Sequence, residues 1–181
     1  MKNSVVKLIC AVFFIALIAG CSNVKKVNLL YSPTDADIKG CAGKVTILPF
    51  EDNRTDKSLG KAPVSVFEPT SSVAEWMQNA MIQELDKAGC ITQVSSSVPD
   101  TGLAVQGFVE ETYLYQPAMA SFKAKSQLRL KIYQNGNLAY INTYQGRQRL
   151  DATTTSREQA LTQELQSIMG FLVPEIIGYA N

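Results

Sequence analysis

The chain has 181 residues, a formal net charge of +1 and no histidine. That length suits one domain once a leader is removed, and a near-zero charge gives nucleic acid nothing to bind. The missing imidazole excludes His-based acid–base catalysis, Ser-His-Asp and Cys-His arrangements, and every zinc site that uses histidine.

Lys2 and Lys7 make a positive start, and Leu8 to Ala19 is apolar apart from the weakly polar Cys10. At roughly 1.5 Å per residue this run reaches about 20 Å, short of a ~30 Å hydrocarbon core, so it reads as a secretory signal. It closes as Leu17-Ile18-Ala19-Gly20-Cys21, which resembles the lipobox of bacterial lipoproteins. An ordinary cleaved signal beside a coincidental cysteine is the other reading. The resemblance implies that residues 1–20 are removed and that Cys21 carries diacylglycerol. One acyl chain binds a bilayer with K on the order of 10⁴ M⁻¹, whereas the two or three of a mature lipoprotein anchor it durably. Ser22 follows where Asp would signal retention at the inner membrane. By resemblance to Gram-negative sorting, that implies the outer membrane, with the domain facing the periplasm.

Residues 21–40 are polar, contain Ser32-Pro33-Thr34, and are expected to be an acylated, flexible tether, with Val27–Tyr31 as a candidate edge strand. Residues 41–181 are expected to form a single domain. Lys44–Phe50 reads as its first strand, and Glu51 to about Thr70 as a loop broken by Gly60, Pro63 and Pro69. Ser72 and Glu75 have the spacing of a capping box. Val73, Met77, Ala80, Met81, Leu85 and Ala88 then recur at helical spacing, up to a stop at Gly89. Cys90–Val94 reads as a strand parallel to the first, completing a βαβ unit.

The cysteines follow from that unit. Cys10 leaves with the signal and Cys21 is the lipid site, so Cys41 and Cys90 remain in a compartment that oxidises thiols. Each stands just ahead of one parallel strand, at a shared sheet edge. They form either a disulfide, worth about 4 kcal/mol for such a loop, or two buried thiols.

The second half reads as antiparallel β. Leu103–Tyr115 is one strand and Ala120–Gln134 the next, joined at Gln116-Pro117-Ala118; Asn135-Gly136-Asn137 turns tightly into Leu138–Leu150. In the middle strand, apolar residues fall on even positions and Lys123, Lys125, Gln127, Arg129 and Lys131 on odd ones, so one face is buried and one is wet. A last helix starts at Ser156, and Pro174 should kink or end it. The order β-α-β-β-β-α implies an α+β sandwich: one mixed, twisted sheet with both helices on one face.

The strand and loop Val45–Asp56, ending in Gly60, and the helix from Ala74-Glu75-Trp76 to the Ala88-Gly89-Cys90 stop resemble the YajG-type bacterial lipoprotein family. That resemblance implies an outer-membrane lipoprotein domain with no catalytic residues to carry over. The topology is also similar to the auxiliary lipoproteins of ABC-type lipid transport.

Three clusters carry candidate chemistry. Glu51–Asp56 gathers acidic side chains, but Arg54 sits among them without calcium-loop spacing, so a local Asx turn with a surface Asp–Arg pair is favoured over a metal site. Lys123, Lys125, Arg129 and Lys131, with Arg147, Arg149 and Tyr133 nearby, form a candidate interaction face for a partner or for anionic headgroups. A plain solvated face, neutralised by Glu110 and Glu111, is the competing reading. Tyr113, Tyr115, Tyr133, Tyr140 and Tyr144 suit an interface or simply strand propensity. As neighbours on one strand, Glu110 and Glu111 are expected on opposite faces, which rules out a glycosidase-like couple. No cofactor, metal or enzymatic activity is expected. The chain reads as an anchored, non-catalytic binding or scaffolding module for an envelope component, with a homo-oligomer as another partner. The alternative is an accessory of lipid transport or lipopolysaccharide assembly.

Overall fold

The computed structural model describes residues 23–34, 38, 40–118 and 121–181. The signal, Cys21 and the expected start of a strand at Ala120 lie outside the described residues. Nine strands form one mixed sheet: β1 (Asn23–Val27), β2 (Lys44–Ile47), β3 (Glu51–Asp52), β4 (Gly60–Ala62), β5 (Ser65–Pro69), β6 (Ile91–Val94), β7 (Leu103–Ala118), β8 (Ser121–Gln134) and β9 (Asn137–Asp151). Two helices, α1 (Val73–Lys87) and α2 (Arg157–Ala180), lie in contact with each other on one face. The α+β class is as expected.

β7 is the spine. One edge pairs in parallel with β2, then β3, then β4; the other pairs antiparallel with β8, which pairs with β9. On β8 the alternation expected from the sequence holds. Phe122, Ala124, Leu128, Leu130 and Ile132 are buried, and they face a core shared with Leu161, Leu165, Ile168 and Leu172 of α2. Burying such a side chain contributes about 1.5–3 kcal/mol, and that is what seats the helices.

α1 begins where Ser72 accepts a hydrogen bond from the Glu75 amide. The reciprocal half of the expected box is found instead at α2, where Ser156 and Gln159 cap each other. Gly89, at φ +95°, ends α1 as expected, and β2 and β6 pair in parallel behind it. Cys41 and Cys90 are joined in a disulfide across the starts of these strands, with their Cα atoms 4.8 Å apart.

Four expectations are corrected. The stretch from Glu51 to Thr70 is not one loop but holds β3, β4 and β5, strands of two to five residues that are too short to show periodicity. Gly60, read as a breaker, begins β4, and a Cβ there would collide with the Leu114 backbone. Pro174 does not end the last helix, which runs on to Ala180 because Val173, Ile176 and Ile177 are buried on either side of it.

The fourth correction concerns the tether. Asn23–Val27 pairs in parallel with β5, four residues ahead of the candidate edge strand. The following residues pack on the domain: Val27 and Leu29 are buried, the Trp76 indole donates to the Leu30 carbonyl (3.0 Å), and buried Glu84 accepts from the Tyr31 hydroxyl and the Thr34 amide, each at 2.6 Å. Burial, reinforced by the Glu84 carboxylate, raises the Tyr31 pKa.

Candidate interaction face

The helices cover one face of β7–β9, and the other is open. The register of β7 and β8 changes between Val109 and Glu111, leaving Glu110 as an extra residue. A bulge of this kind breaks the two-residue alternation. Glu110 and Glu111 therefore both reach the open face, in contrast to the expectation of opposite faces: Glu110 pairs with Arg129 at 2.8 Å and Glu111 with Lys125. Beyond the bulge, Thr112 and Leu114 take over the core side of β7.

All five sequence-nominated residues of the face stand on its open side: Lys123, Lys125, Arg129, Lys131 and Tyr133 are odd positions of β8, and the even positions from Phe122 to Ile132 between them are buried. They are not equivalent. Arg129 and Lys131 each lie 4.7 Å from the centre of the Phe108 ring, which they cover. Glu110 pairs with Arg129, so one of the two cations of this middle is neutralised. Ile141 (49% exposed) and Leu138 (52%) give the region beyond it an apolar fringe.

The opposite end is cationic. The register sets Lys123 beside Arg149 and Lys125 beside Arg147. Tyr115 and Tyr113 occupy the same rows on β7, with ring centroids 6.5 Å apart and planes 25° apart. These six residues line a hollow of ≈ 500 Å³. Among the described residues, Lys123, Arg147 and Arg149 make no ion pair. The tyrosines nominated from the sequence thus divide. Tyr113, Tyr115 and Tyr133 are on the open face, while Tyr140 packs against Tyr179 of α2 (5.7 Å) and the Tyr144 hydroxyl is buried.

The Asp52–Arg54 pair is present with its Asx turn. Arg54 Nε and Nη2 donate to the two carboxylate oxygens at 2.9 Å, and the Arg54 amide donates to Oδ1 at 3.1 Å. Contrary to the surface expectation, Arg54 is only 5% exposed, because Nη1 also reaches the Ser58 carbonyl (3.0 Å). The hydrogen bonds and charge of Arg54 hold the Asp52 carboxyl below its usual range against a desolvation penalty. Among the described residues, no group of three or more His, Cys, Asp and Glu side chains is placed to hold a metal ion, and no helix is long and apolar enough to cross a membrane.

Sequence reasoning missed Phe108, Lys61 and Glu164. Phe108 looks like a core residue, and only the pairing of β7 with β8 shows that cations cover it. Lys61 belongs to a strand too short to recognise. Glu164 sits in the apolar stripe of α2, fully buried, its Oε1 accepting from the Ser126 amide at 3.0 Å. Desolvation pushes its pKa up to about 7 despite that hydrogen bond.

No protein-family model matches the chain, and no curated protein does. Solved structures do. A Xanthomonas campestris protein described under the family DUF330 aligns at 8% identity over 87% of this chain and 93% of its own, with a TM-score of 0.54. A hypothetical protein from Chlamydia trachomatis aligns at 12% identity over 76% and 97%, also at 0.54. A lipoprotein from Neisseria meningitidis aligns at 10% identity over 75% and 99%, at 0.43. At these identities the likeness to the first two is one of fold alone.

Proposed function

We propose that this chain is a lipid-anchored protein of the outer membrane, acylated at Cys21, whose domain faces the periplasm and binds another envelope protein without catalysing a reaction. The observation that carries the binding reading is the open face of β7, β8 and β9, strands of 16, 14 and 15 residues with no helix over them. At ~3.3 Å per residue and ~4.8 Å per strand, that plane measures on the order of 600 Å². One side of a standard protein–protein interface covers ~800 Å². Its middle combines the Phe108 ring with the Glu110–Arg129 ion pair, and aromatic and arginine side chains are the types enriched at such interfaces.

The lipid-transport alternative has less support. The layer between helices and sheet is filled by one core running from Val27 to Ile177, and the hollow on the outer side of α2 is lined mainly by Ser, Thr, Gln and Glu. Neither suits an acyl chain.

A photo-crosslinking side chain at Gln127, Tyr133 or Ile141, compared with one at Phe171 on the outer side of α2, tests the reading in native envelopes. A discrete protein adduct from the sheet positions and none from Phe171 is the expected result. Adducts that are absent, or the same from both faces, end it.

A further inference from the structure

Where the chain enters the sheet determines which end faces the membrane. Asn23 is the register partner of Ser65, and its amide donates to the Val64 carbonyl (3.4 Å). Ser65 pairs with Ala62, and next to it Lys61 pairs with Tyr115 of β7. Tyr115 pairs with Lys123, and Lys123 with Arg149. The start of β1, the β4–β5 turn and the cationic hollow therefore lie along one end of one sheet. Cys21 precedes Asn23 by two residues, at most about 7 Å of chain. Acylation at Cys21 holds this end, and no other, against the bilayer.

The chemistry of that end suits the position. Pro63 and Val64 form the tip of the β4–β5 turn, and Val64 is 78% exposed, the most exposed large apolar side chain among the described residues. Lys25 and Arg157 border the same turn in a hollow of ≈ 380 Å³. On the open face, the last two rows carry Lys61, Lys123, Lys125, Arg147 and Arg149. The acids there are Glu111, paired with Lys125, and Asp151, which accepts from Thr153, with Asp56 beside Lys61. The balance is positive, and the tyrosines between the cations are amphipathic side chains of the kind that populate membrane–water interfaces.

We propose that this end of the sheet is a membrane-docking edge. The Pro63-Val64 tip enters the headgroup layer, and Lys61, Lys123, Arg147 and Arg149 engage the phosphates of anionic phospholipids in the membrane that holds the acyl chains. The proposal rests on acylation at Cys21. Because the acyl chains alone prevent dissociation, the contacts set orientation and not residence: the far ends of β7–β9 rise away from the bilayer, and the middle of the open face is presented to the periplasm.

The test uses the full-length protein as its native host processes it, reconstituted into phosphatidylethanolamine–phosphatidylglycerol vesicles. An environment-sensitive fluorescent side chain is placed at position 64, or at 171 as the control, and headgroup-level spin-labelled lipids serve as quenchers. The expected result is several-fold stronger quenching at 64 than at 171. It should weaken as salt rises, in phosphatidylcholine vesicles, and when Lys123→Glu, Arg147→Glu and Arg149→Glu are combined. The salt titration needs no charge substitution, so a misfolded triple variant does not decide the matter. Protein that floats with the vesicles but is quenched equally at both positions, or independently of salt and headgroup charge, overturns the docking edge and leaves the anchor standing. Protein that does not float at all overturns the acylation reading and the docking edge with it.

Discussion

A single buried carboxylate gives the chain a pH dependence that its composition does not suggest. Glu164 lies between α2 and the sheet, where Gly146 leaves space that a Cβ would take from its carboxylate, and its Oε2 has no hydrogen-bond partner. The Lys125–Glu111 pair lies on the other face, so no cation faces Glu164. Its pKa in the folded chain, about 7, stands above the ordinary glutamate value of 4.5. The folded state therefore holds the proton more tightly than the unfolded one. Stability is full below about pH 4.5 and declines as pH rises towards 7. Glu164→Gln keeps an acceptor for the Ser126 amide and removes the charge. In urea melts it should be more stable than the parent at pH 8 by up to about 3 kcal/mol, with the gap closing towards pH 4.5. A gap that is constant with pH would show that Glu164 is not the titrating group. Arg54 makes the opposite case. Arg54→Ala leaves Asp52 without its fork partner and should cost about 2–4 kcal/mol, with faster amide exchange confined to residues 52–60. Neither residue was legible at its true weight: a sequence shows a charge but not its burial, and both were brought inside by elements far along the chain or too short to read.

At the scale of elements, legibility followed length and periodicity. β8 and α1 each carry enough turns of a clear repeat for the pattern to outweigh local exceptions, so their buried faces were readable. The two-residue Asn135-Gly136 turn was equally plain, since both residues adopt positive φ (+49° and +78°). What failed was anything that depends on one inserted residue or a few paired ones. The bulge at Glu110 reverses the alternation of β7 half-way along, and no residue type announces it. Deleting Glu110 removes the extra residue, so Val109 and Glu111 become consecutive rungs opposite Leu128 and Gln127, and Thr112 and Leu114 keep the core side. The expected outcome is a melt that stays cooperative, with Arg129 left without its partner, and Glu110→Ala, which removes the same pair but keeps the bulge, should cost at most about 1 kcal/mol. The disulfide was readable for the opposite reason: it depends on two strands whose parallel pairing follows from the intervening helix. Reducing it, or replacing Cys41 and Cys90 with alanine, should lower stability by about 4 kcal/mol, read as a lower thermal midpoint with unchanged far-UV circular dichroism below the transition.

For the molecule as a whole, the decisive point is that the residues from Asn23 onward are structural. Were residues 21–40 a free tether, the proposed acylation at Cys21 would give no face of the domain a preferred direction. Instead β1 begins two residues after Cys21, and residues 27–34 brace α1 through Val27, Leu29, the Trp76–Leu30 hydrogen bond and the Glu84 cluster. The sequence concealed this because polar residues interrupt the segment before any periodicity can show, and three or four well-placed apolar residues are enough to fix it. A variant starting at Gly40 after the acylated cysteine loses the burial of Val27 and Leu29, worth about 3–6 kcal/mol together, and strands the buried Glu84 carboxylate without its partners. Against a typical total of 5–15 kcal/mol, it should melt far below the parent or fail to fold. A flexible Gly-Ser insertion between Ser22 and Asn23 leaves every one of those contacts in place and should melt with the parent. Yet it lengthens the reach from bilayer to sheet, so quenching at position 64 should fall even though the protein still floats. If the insertion instead lowers the melting temperature as much as the truncation does, the brace formed by residues 27–34 is not what holds the start of the chain.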